Sequence, residues 1–589
     1  MLGKIVEIVD GQVIIDMAID INNQVNLINL HVVFEDDKKK IIGEIVNITQ
    51  KQIIVNILGE IKNNSFVPGN TAKPSFKSKV RVITLNEVEY IFGSSTIGKN
   101  QTFLGYSNIY ENYKININNN AFFSNHFAIL GNSGAGKSCA VASLIQNLFT
   151  KGVSAPLKAN FLLFDAFGEY TAAFKDLKNV NPNLIYKSYT TNTTYSDTEV
   201  VKIPTWLLDV DDLALLLDVT SQNQLPILEK ALKLVPVLKG NSQSVIQYKN
   251  DIIARAIEDI LLSGATSTKI RDQVIAILTK FNTEELNLES KIIQPGYVRT
   301  LKQCLYIDKS GKLQEIELVT EFVRSFINKD LDKTLGNNEQ PCCYNLSDLE
   351  EALEFALISE GILKSEKIYD STNVLSVRLH SLVNSSNKEF FEYPKYVDRN
   401  QYIQELVTDK LTGKKCQIVN FNINYVDDRL AKVITKIISK MLFAFVTESN
   451  SRGSIPFHII IEEAHRYVQK DKDIELLGYN IFERITKEGR KYGIFLGLIT
   501  QRPSELSDTA ISQCSNFIIL RTIHPKDLDY IRNMVPNIST EIIGQLRNLQ
   551  PGTCMAFGTA FKVPILISMQ MPNPTPNSNN VDLGTVWYI

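Results

Sequence analysis

The chain lacks most of what would announce a compartment or a partner. Its seven cysteines, at 139, 304, 342, 343, 416, 514 and 554 of 589 residues, form no CxxC pair and no Cys/His cluster. That spacing excludes a zinc finger or a disulfide framework and suits a reducing cytoplasm. The adjacent Cys342 and Cys343 read as ordinary thiols. No apolar run approaches the ~18–20 residues that cross a bilayer. The opening MLGKIVEIVDG meets an acidic residue too soon for a secretory leader, so no membrane partner is expected. An excess of one charge is missing too: 62 Lys plus Arg stand against 64 Asp plus Glu, a net charge of −2. Basic contacts to a nucleic acid would therefore have to be local, for instance lining a channel.

What is present is an ordinary globular composition, 44% hydrophobic and 21% charged, rich in Ile, Asn and Lys. The length suits roughly three or four domains. Residues 1–95 read as short strands. Asp10-Gly11 between two Val/Ile runs is a hairpin signal, and HVVF, KIIGEIVNI, QIIVNIL and VRVITL follow at the spacing of a small β-barrel. The Lys38–Lys40 run reads as a solvated turn. Over 96–204 and again over 401–570 the pattern changes to near-continuous apolar runs: HFAILG, NFLLFDAF, CQIVNFNI, FHIIIEEA, IFLGLITQ and FIILRT. Strands buried on both faces look like this, and helical segments such as KSCAVASLIQNLF and RLAKVITKIISKMLFAF intervene, so a doubly wound α/β domain is expected. Between 205 and 400 apolar residues fall at helical spacing, Leu225, Leu228 and Leu232 among them, which predicts a helical insertion. The tail 571–589 is Pro/Asn-rich and ends in Trp-Tyr-Ile. Such an arm either docks on its own chain or a neighbour, or stays free.

GNSGAGKS, Gly131–Ser138, follows the strand HFAIL and opens a helix, the context a phosphate-binding loop requires. Glycines let backbone N–H groups curl around phosphates, and a helix start adds positive potential. The expected nucleotide contacts are Asn132, Ser133, Gly134, Ala135, Gly136, Lys137, Ser138 and Cys139. Lys137 would reach the β- and γ-phosphates of ATP, and the Ser138 hydroxyl would hold Mg²⁺.

IIIEEAHRY, 459–467, sets a buried strand against two glutamates, and an unpaired buried carboxylate is expensive. In the frame of a phosphate loop, Glu462 is placed to orient the Mg²⁺ shell and Glu463 to act as base for the attacking water. His465 reads as an orienting or packing residue. FLLFDAFGEY ends a further strand at Asp165. Asp165 sits beside the phosphates, or Glu169 contacts a neighbouring subunit, or Asp165 caps a helix and Gly168 serves a turn. In ITKEGRKYGIFLGLITQRPSEL, Gln501 stands at a strand end where a γ-phosphate-sensing amide belongs. Arg490 and Lys491 precede that strand, where they are either solvated or presented to a neighbour; Arg521, after FIILRT, is equally ambiguous.

Together NHFAILGNSGAGKS, LLFDAFGEY, IPTWLLDVDDL, IIIEEAHRY, KEGRKYGIFLGLITQRPSEL, SQCSNFIILRT and PGTCMAFGTAFKVPILISM resemble the HerA family of the HerA/FtsK ring ATPases, over residues 90–575. The resemblance implies a RecA-like P-loop ATPase core with a small N-terminal β-barrel. It also implies a homohexameric ring around double-stranded DNA, with hydrolysis coupled to translocation. By position it makes Glu463 the base, Gln501 the γ-phosphate sensor and Arg490 a finger acting on the neighbour's nucleotide. Two departures are mild: GNSGAGKS stands where TGSGKS is usual, and Glu462 where some relatives have Asp. Relatives work with a separate effector chain, a nuclease or, in bacterial antiphage defence, a nuclease or sirtuin-like NADase. The composition leans toward the bacterial setting, and the N-terminal barrel is the candidate docking surface. An ATP-gated scaffold that activates an effector without processive DNA movement is the alternative, favoured by the near-neutral charge.

Overall fold

The computed structural model describes the chain apart from residues 1, 10, 19–26, 37–38, 70–71, 151–154, 195–197, 240–242, 310, 329–341, 360–365, 450–451, 471–472, 535–539, 579–582 and 588–589. Asp10 of the expected hairpin, Lys38, Tyr588 and Ile589 lie outside the described residues. The chain divides into two compact units, one of residues 1–192, 196–199 and 402–589, the other of 193–195 and 200–401.

The first unit opens with β1 (Gly3–Val9), β2 (Gln12–Met17), β3 (His31–Asp36), β4 (Lys39–Ile48), β5 (Gln52–Lys62), β6 (Ser65–Pro68) and β7 (Lys79–Val82). They pair antiparallel in the order β1-β2-β5-β4-β3-β7, with β6 on β5. Alternate residues of each strand point inward, as a pleated strand dictates, and Val13, Ile15, Val32, Phe34, Ile41, Val55 and Val80 meet in one core. The Leu2 N–H, just before β1, donates to the Val80 carbonyl in β7 at 2.9 Å, which brings the sheet's two edges together. Lys40 is not in a solvated turn: it lies in β4, 3.3 Å from Glu35 and 3.2 Å from Glu87, because two carboxylates and Arg81 assemble beside it.

The same unit holds a 12-stranded sheet. Its strands are β8 (Gln101–Ser107), β9 (Lys114–Asn118), β10 (His126–Leu130), β11 (Asn160–Asp165), β12 (Tyr186–Thr190) and β13 (Glu199–Val200) before the second unit. That unit holds a separate two-stranded hairpin, β14 (Lys291–Gln294) and β15 (Tyr297–Thr300). The returning chain adds β16 (Ile418–Asn422), β17 (Phe457–Ile461), β18 (Ile494–Thr500), β19 (Cys514–Leu520), β20 (Thr553–Gly558) and β21 (Ile565–Met569). The order is β13-β12-β16-β11-β17-β18-β10-β19-β20-β21-β8-β9. The run from β12 to β19 is parallel and β19 to β9 antiparallel. Every residue of β10, β11 and β17 is buried, the reason those stretches read as continuous apolar runs.

Register sets up the site. Leu130 pairs with Thr500 and Phe164 with Ile461, so the carboxyl ends of β10, β18, β11 and β17 line one edge. In an open parallel sheet the chain crosses to opposite sides at such an edge and leaves a crevice there.

The second unit is built largely of helices, among them Leu225–Lys239, Gln243–Leu261, Ser267–Lys280 and Leu346–Ser359. In Leu225–Lys239 the buried stripe is Ile227, Leu228, Ala231, Leu234, Val235 and Leu238. Of the expected apolar positions Leu228 is inside it, while Leu225 and Leu232 stand half-buried at its margin.

Candidate active site

Between β10 and the helix Lys137–Phe149 the chain turns through Gly131, Gly134 and Gly136, with φ of 157°, 70° and 99°. The last two lie where L side chains are strained. At Gly131 a Cβ would come within 2.9 Å of the Leu520 Cβ, so β19 leaves no room for one. Neighbouring strand ends pin the loop: Gly131 N–H donates to the Thr500 carbonyl (3.3 Å), and Asn132 N–H to the Arg521 carbonyl (2.9 Å). Ala135 is buried, and its carbonyl accepts from Gly552 N–H at 3.0 Å. As first residues of a helix, Lys137, Ser138 and Cys139 carry N–H groups with no partner one turn back. The loop is a cradle of donors.

Lys137 Nζ donates to the Asn132 carbonyl at 3.1 Å. Burial lowers its pKa, while Glu463, Glu462 and Glu169 act in the opposite direction. Ser138 is hydrogen-bonded to the side chain of Glu169, whose own pKa burial raises.

Glu462 and Glu463 close β17. The Glu462 N–H continues the parallel ladder to the Phe164 carbonyl (3.1 Å), and its Oε2 accepts from Ala166 N–H (3.2 Å). Its pKa is pushed well up, first by burial, then by the charges of Asp165 and Glu169 and a hydrogen bond to Asp165. Asp165 holds a turn through its hydrogen bonds. It is fully buried and accepts from Glu169 N–H and Tyr170 N–H at 3.0 Å each, and from Asn420 Nδ2 at 3.2 Å. It reaches the site through Glu462. Glu463 has φ 47° and ψ 45°, a left-handed backbone that a non-glycine residue holds at a cost. Its buried Oε2 has no hydrogen-bond partner among the described residues, and Nδ1 of His465 lies 3.2 Å away.

Gln501 follows β18, and its Oε1 is hydrogen-bonded to the Ser133 hydroxyl in the phosphate loop. Arg502 is paired with Glu505 at 3.1 Å. Arg490 is elsewhere. It is exposed in the turn Gly489–Lys491 at the amino end of β18, and its charge acts on His126 at the amino end of β10. Seven residues of strand put it about 20 Å from Gln501. It does not join the other site residues of its own chain.

One feature escaped the sequence reading, and the structure chose between the alternatives for another. Thr500 gave no signal in LGLIT beyond a lone hydroxyl in an apolar run. The tail docks on its own chain: Asn573 N–H donates to Gln146 Oε1 (2.8 Å), Gln146 Nε2 to the Pro574 carbonyl (2.8 Å), and Asn577 N–H to the Glu169 carbonyl (2.9 Å). Trp587 near its far end is 69% exposed, so it is not packed against its own chain.

The residues fit an ATP·Mg²⁺ pair. A cation would suit the orphaned, buried Oε2 of Glu169 beside the Ser138 hydroxyl. Among the described residues no three His, Cys, Asp or Glu side chains form a ready cage. Mg²⁺ does not need one, since it takes one or two protein ligands together with substrate phosphates.

Residues 103–442, more than half of the chain, match the family model for the helicase HerA central domain. The DNA double-strand break repair helicase HerA of Pyrococcus furiosus is 24% identical over 525 residues, 87% of this chain and 76% of the relative. A probable helicase of Methanocaldococcus jannaschii is 25% identical over 524 residues, 87% and 78%. Among solved structures, VirB4 of Thermoanaerobacter pseudethanolicus covers 80% of this chain and 97% of its own at 13% identity and TM-score 0.45. The conjugative coupling protein TrwB covers 83% and 93% at 10% identity and TM-score 0.42. Among the described residues no helix is long and apolar enough to cross a membrane.

Proposed function

This chain belongs to the HerA helicase family, and on that premise we propose a homohexameric, RecA-like translocase of double-stranded DNA driven by its P-loop ATPase. One observation carries the proposal. Lys137, Ser138, Glu463 and Gln501 gather at the carboxyl edge of the parallel sheet, whereas Arg490 stands at the other end of the very strand that delivers Gln501. An arginine so placed is out of reach of its own chain's phosphate loop, and a ring of identical copies would bring it to a neighbour's nucleotide at every interface.

The chemistry follows from the side chains. The loop's N–H groups and Lys137 bind the phosphates, while the Ser138 hydroxyl and Glu462, relayed from Asp165, hold the Mg²⁺ shell. Bound Mg²⁺ neutralises charge on the β- and γ-oxygens. Glu463 orients the attacking water and takes its proton, Gln501 reports the γ-phosphate, and Arg490 of the next subunit meets the charge that develops in transfer. A trans arginine is worth roughly 10³–10⁵ in rate in well-studied cases.

The proposal extends to a cytoplasmic setting and a separate effector chain, a nuclease or a sirtuin-like NADase, in antiphage defence. The family resemblance and the Ile/Asn/Lys-rich composition support that extension. The scaffold reading draws on the net charge of −2.

The test is the ATPase rate with and without linear double-stranded DNA, at low and at physiological salt. Stimulation that weakens with salt is the expected result, since contacts to the phosphate backbone release counterions. A rate indifferent to DNA at both salts would replace the motor with the gated scaffold.

A further inference from the structure

Thr500, the last residue of β18, is fully buried and joins three functional segments. Its carbonyl accepts from Gly131 N–H at the start of the phosphate loop (3.3 Å). Its hydroxyl accepts from Arg502 N–H (3.0 Å) on the far side of Gln501. The same hydroxyl lies 2.9 Å from Nδ1 of His465. That nitrogen is in turn 3.2 Å from Oε2 of Glu463.

Glu463 needs such a neighbour. Its backbone is left-handed, the residue is 5% exposed, and Oε2 has no hydrogen-bond partner among the described residues. A carboxylate in that position has rotamers of similar energy unless a donor selects one. Nδ1 of His465, 2.9 Å from the Thr500 hydroxyl and 3.2 Å from Glu463 Oε2, is the donor at hand when it carries the ring proton.

We propose that His465 is a positioning residue: its Nδ1–H aims the Glu463 carboxylate, and Thr500 fixes the imidazole that does so. The aim of the base is thereby tied to the strand end that carries Gln501. When Gln501 engages a γ-phosphate, any shift of β18 at Thr500 reaches Glu463 through two contacts. Hydrolysis then awaits a correctly seated nucleotide. The inference rests on Glu463 being the base.

The test uses the full-length chain, with kcat and KM for ATP hydrolysis and, separately, ATP affinity by calorimetry. His465→Ala is expected to lower kcat roughly tenfold to hundredfold, the scale of a small misplacement of a reacting group, with KM and ATP affinity within about threefold of wild type. His465→Asn, whose amide nitrogen falls near the position of Nδ1, is expected to keep more of the rate than His465→Gln. Thr500→Val is expected to lower kcat while Thr500→Ser restores it. His465→Ala combined with Thr500→Val is expected to be no slower than His465→Ala alone, because linked residues do not add. A structural role for His465 would move ATP affinity and melting temperature instead of this pattern.

Wild-type kcat in His465→Ala, or a double variant as slow as the product of the two single effects, overturns the inference. Should His465→Ala not fold, wild-type kcat in both His465→Gln and Thr500→Val overturns it equally. Glu463→Gln separates the two levels. Its normal turnover would remove the base and the premise together, whereas a dead Glu463→Gln beside a normal His465→Ala would remove only the role of His465.

Discussion

Asp165 and Glu462, at the ends of the adjacent parallel strands β11 and β17, are hydrogen-bonded carboxyl to carboxyl in an interior that nearly excludes water from both. Asp165 already accepts from two backbone N–H groups and Asn420. Burial beside this already satisfied carboxyl pushes the pKa of Glu462 well up.

Glu462→Gln tests that arrangement through stability. A carboxyl raised above its unfolded pKa binds its proton more tightly in the folded chain, so folding loses stability as pH rises from the unfolded value toward the folded one. Each pH unit of that rise corresponds to about 1.4 kcal/mol. The amide keeps the bonds to Asp165 and to Ala166 N–H without titrating. Melting of the nucleotide-free protein at pH 7.5 should rise by a few degrees in Glu462→Gln, and the gain should vanish near pH 4.5. An equal gain at both pH values would show that Glu462 is ionised in the folded state.

Lys137→Ala should weaken ATP binding at least about a hundredfold, the loss of several charge-assisted contacts. Titration of a fluorescent ATP analogue reads this directly. Retained affinity would place the nucleotide elsewhere.

Arg490→Ala subunits should bind ATP normally and hydrolyse it roughly a thousandfold more slowly. Mixed with Glu463→Gln subunits, they should regain activity, since a mixed interface pairs an intact Glu463 with an intact Arg490. No recovery at any mixing ratio would return Arg490 to the status of a solvated surface residue.

Acid should destabilise the first unit through histidines that the site does not use. Burial holds His31, His126 and His458 at about 4, against an ordinary 6.5. Between those values the unfolded chain binds protons that the folded chain refuses, so stability is lost as pH falls through 6.5 toward 4. Each contributes up to about 3 kcal/mol on that path. The thermal midpoint should drop clearly between pH 7 and pH 5. His458→Phe keeps the stack against Phe161 and Phe495 but loses the bond to the Phe123 carbonyl. It should therefore melt lower at pH 7.5 and vary less with acid.

Much of this was legible before any coordinates, for reasons of local chemistry. HFAILGNSGAGKS carries its own structure: a run of apolar residues buried on both faces, glycines where φ is positive, and a helix start with unpaired N–H groups. Strands β10, β11, β16, β17, β18 and β19 and the helix Lys137–Phe149 lie where sequence pattern puts them, because burial on two faces leaves an unbroken apolar run. The parallel strand β12, YKSYT, carries no such run. Lys40 shows the limit. A Lys run beside two aspartates looks like a solvated turn, and only the folding of Glu87 and Arg81 onto β4 makes it part of an ion-pair cluster.

What sequence determined by itself was the inventory: a phosphate loop, two glutamates at a strand end, an amide after another strand, and an arginine before it. Tertiary structure decided who meets whom. Parallel register lines up residues hundreds of positions apart, such as Ser133 with Gln501 and Ala166 with Glu462, and no periodicity encodes that pairing. It also decided that Asp165 turns inward to the chain, that His465 faces Thr500, and that Arg490 is a strand's length from its own phosphate loop. The physical reason is the same in each case. A side chain's type states which contacts it can make, but distance and burial, which exist only in the folded chain, select which of them it makes.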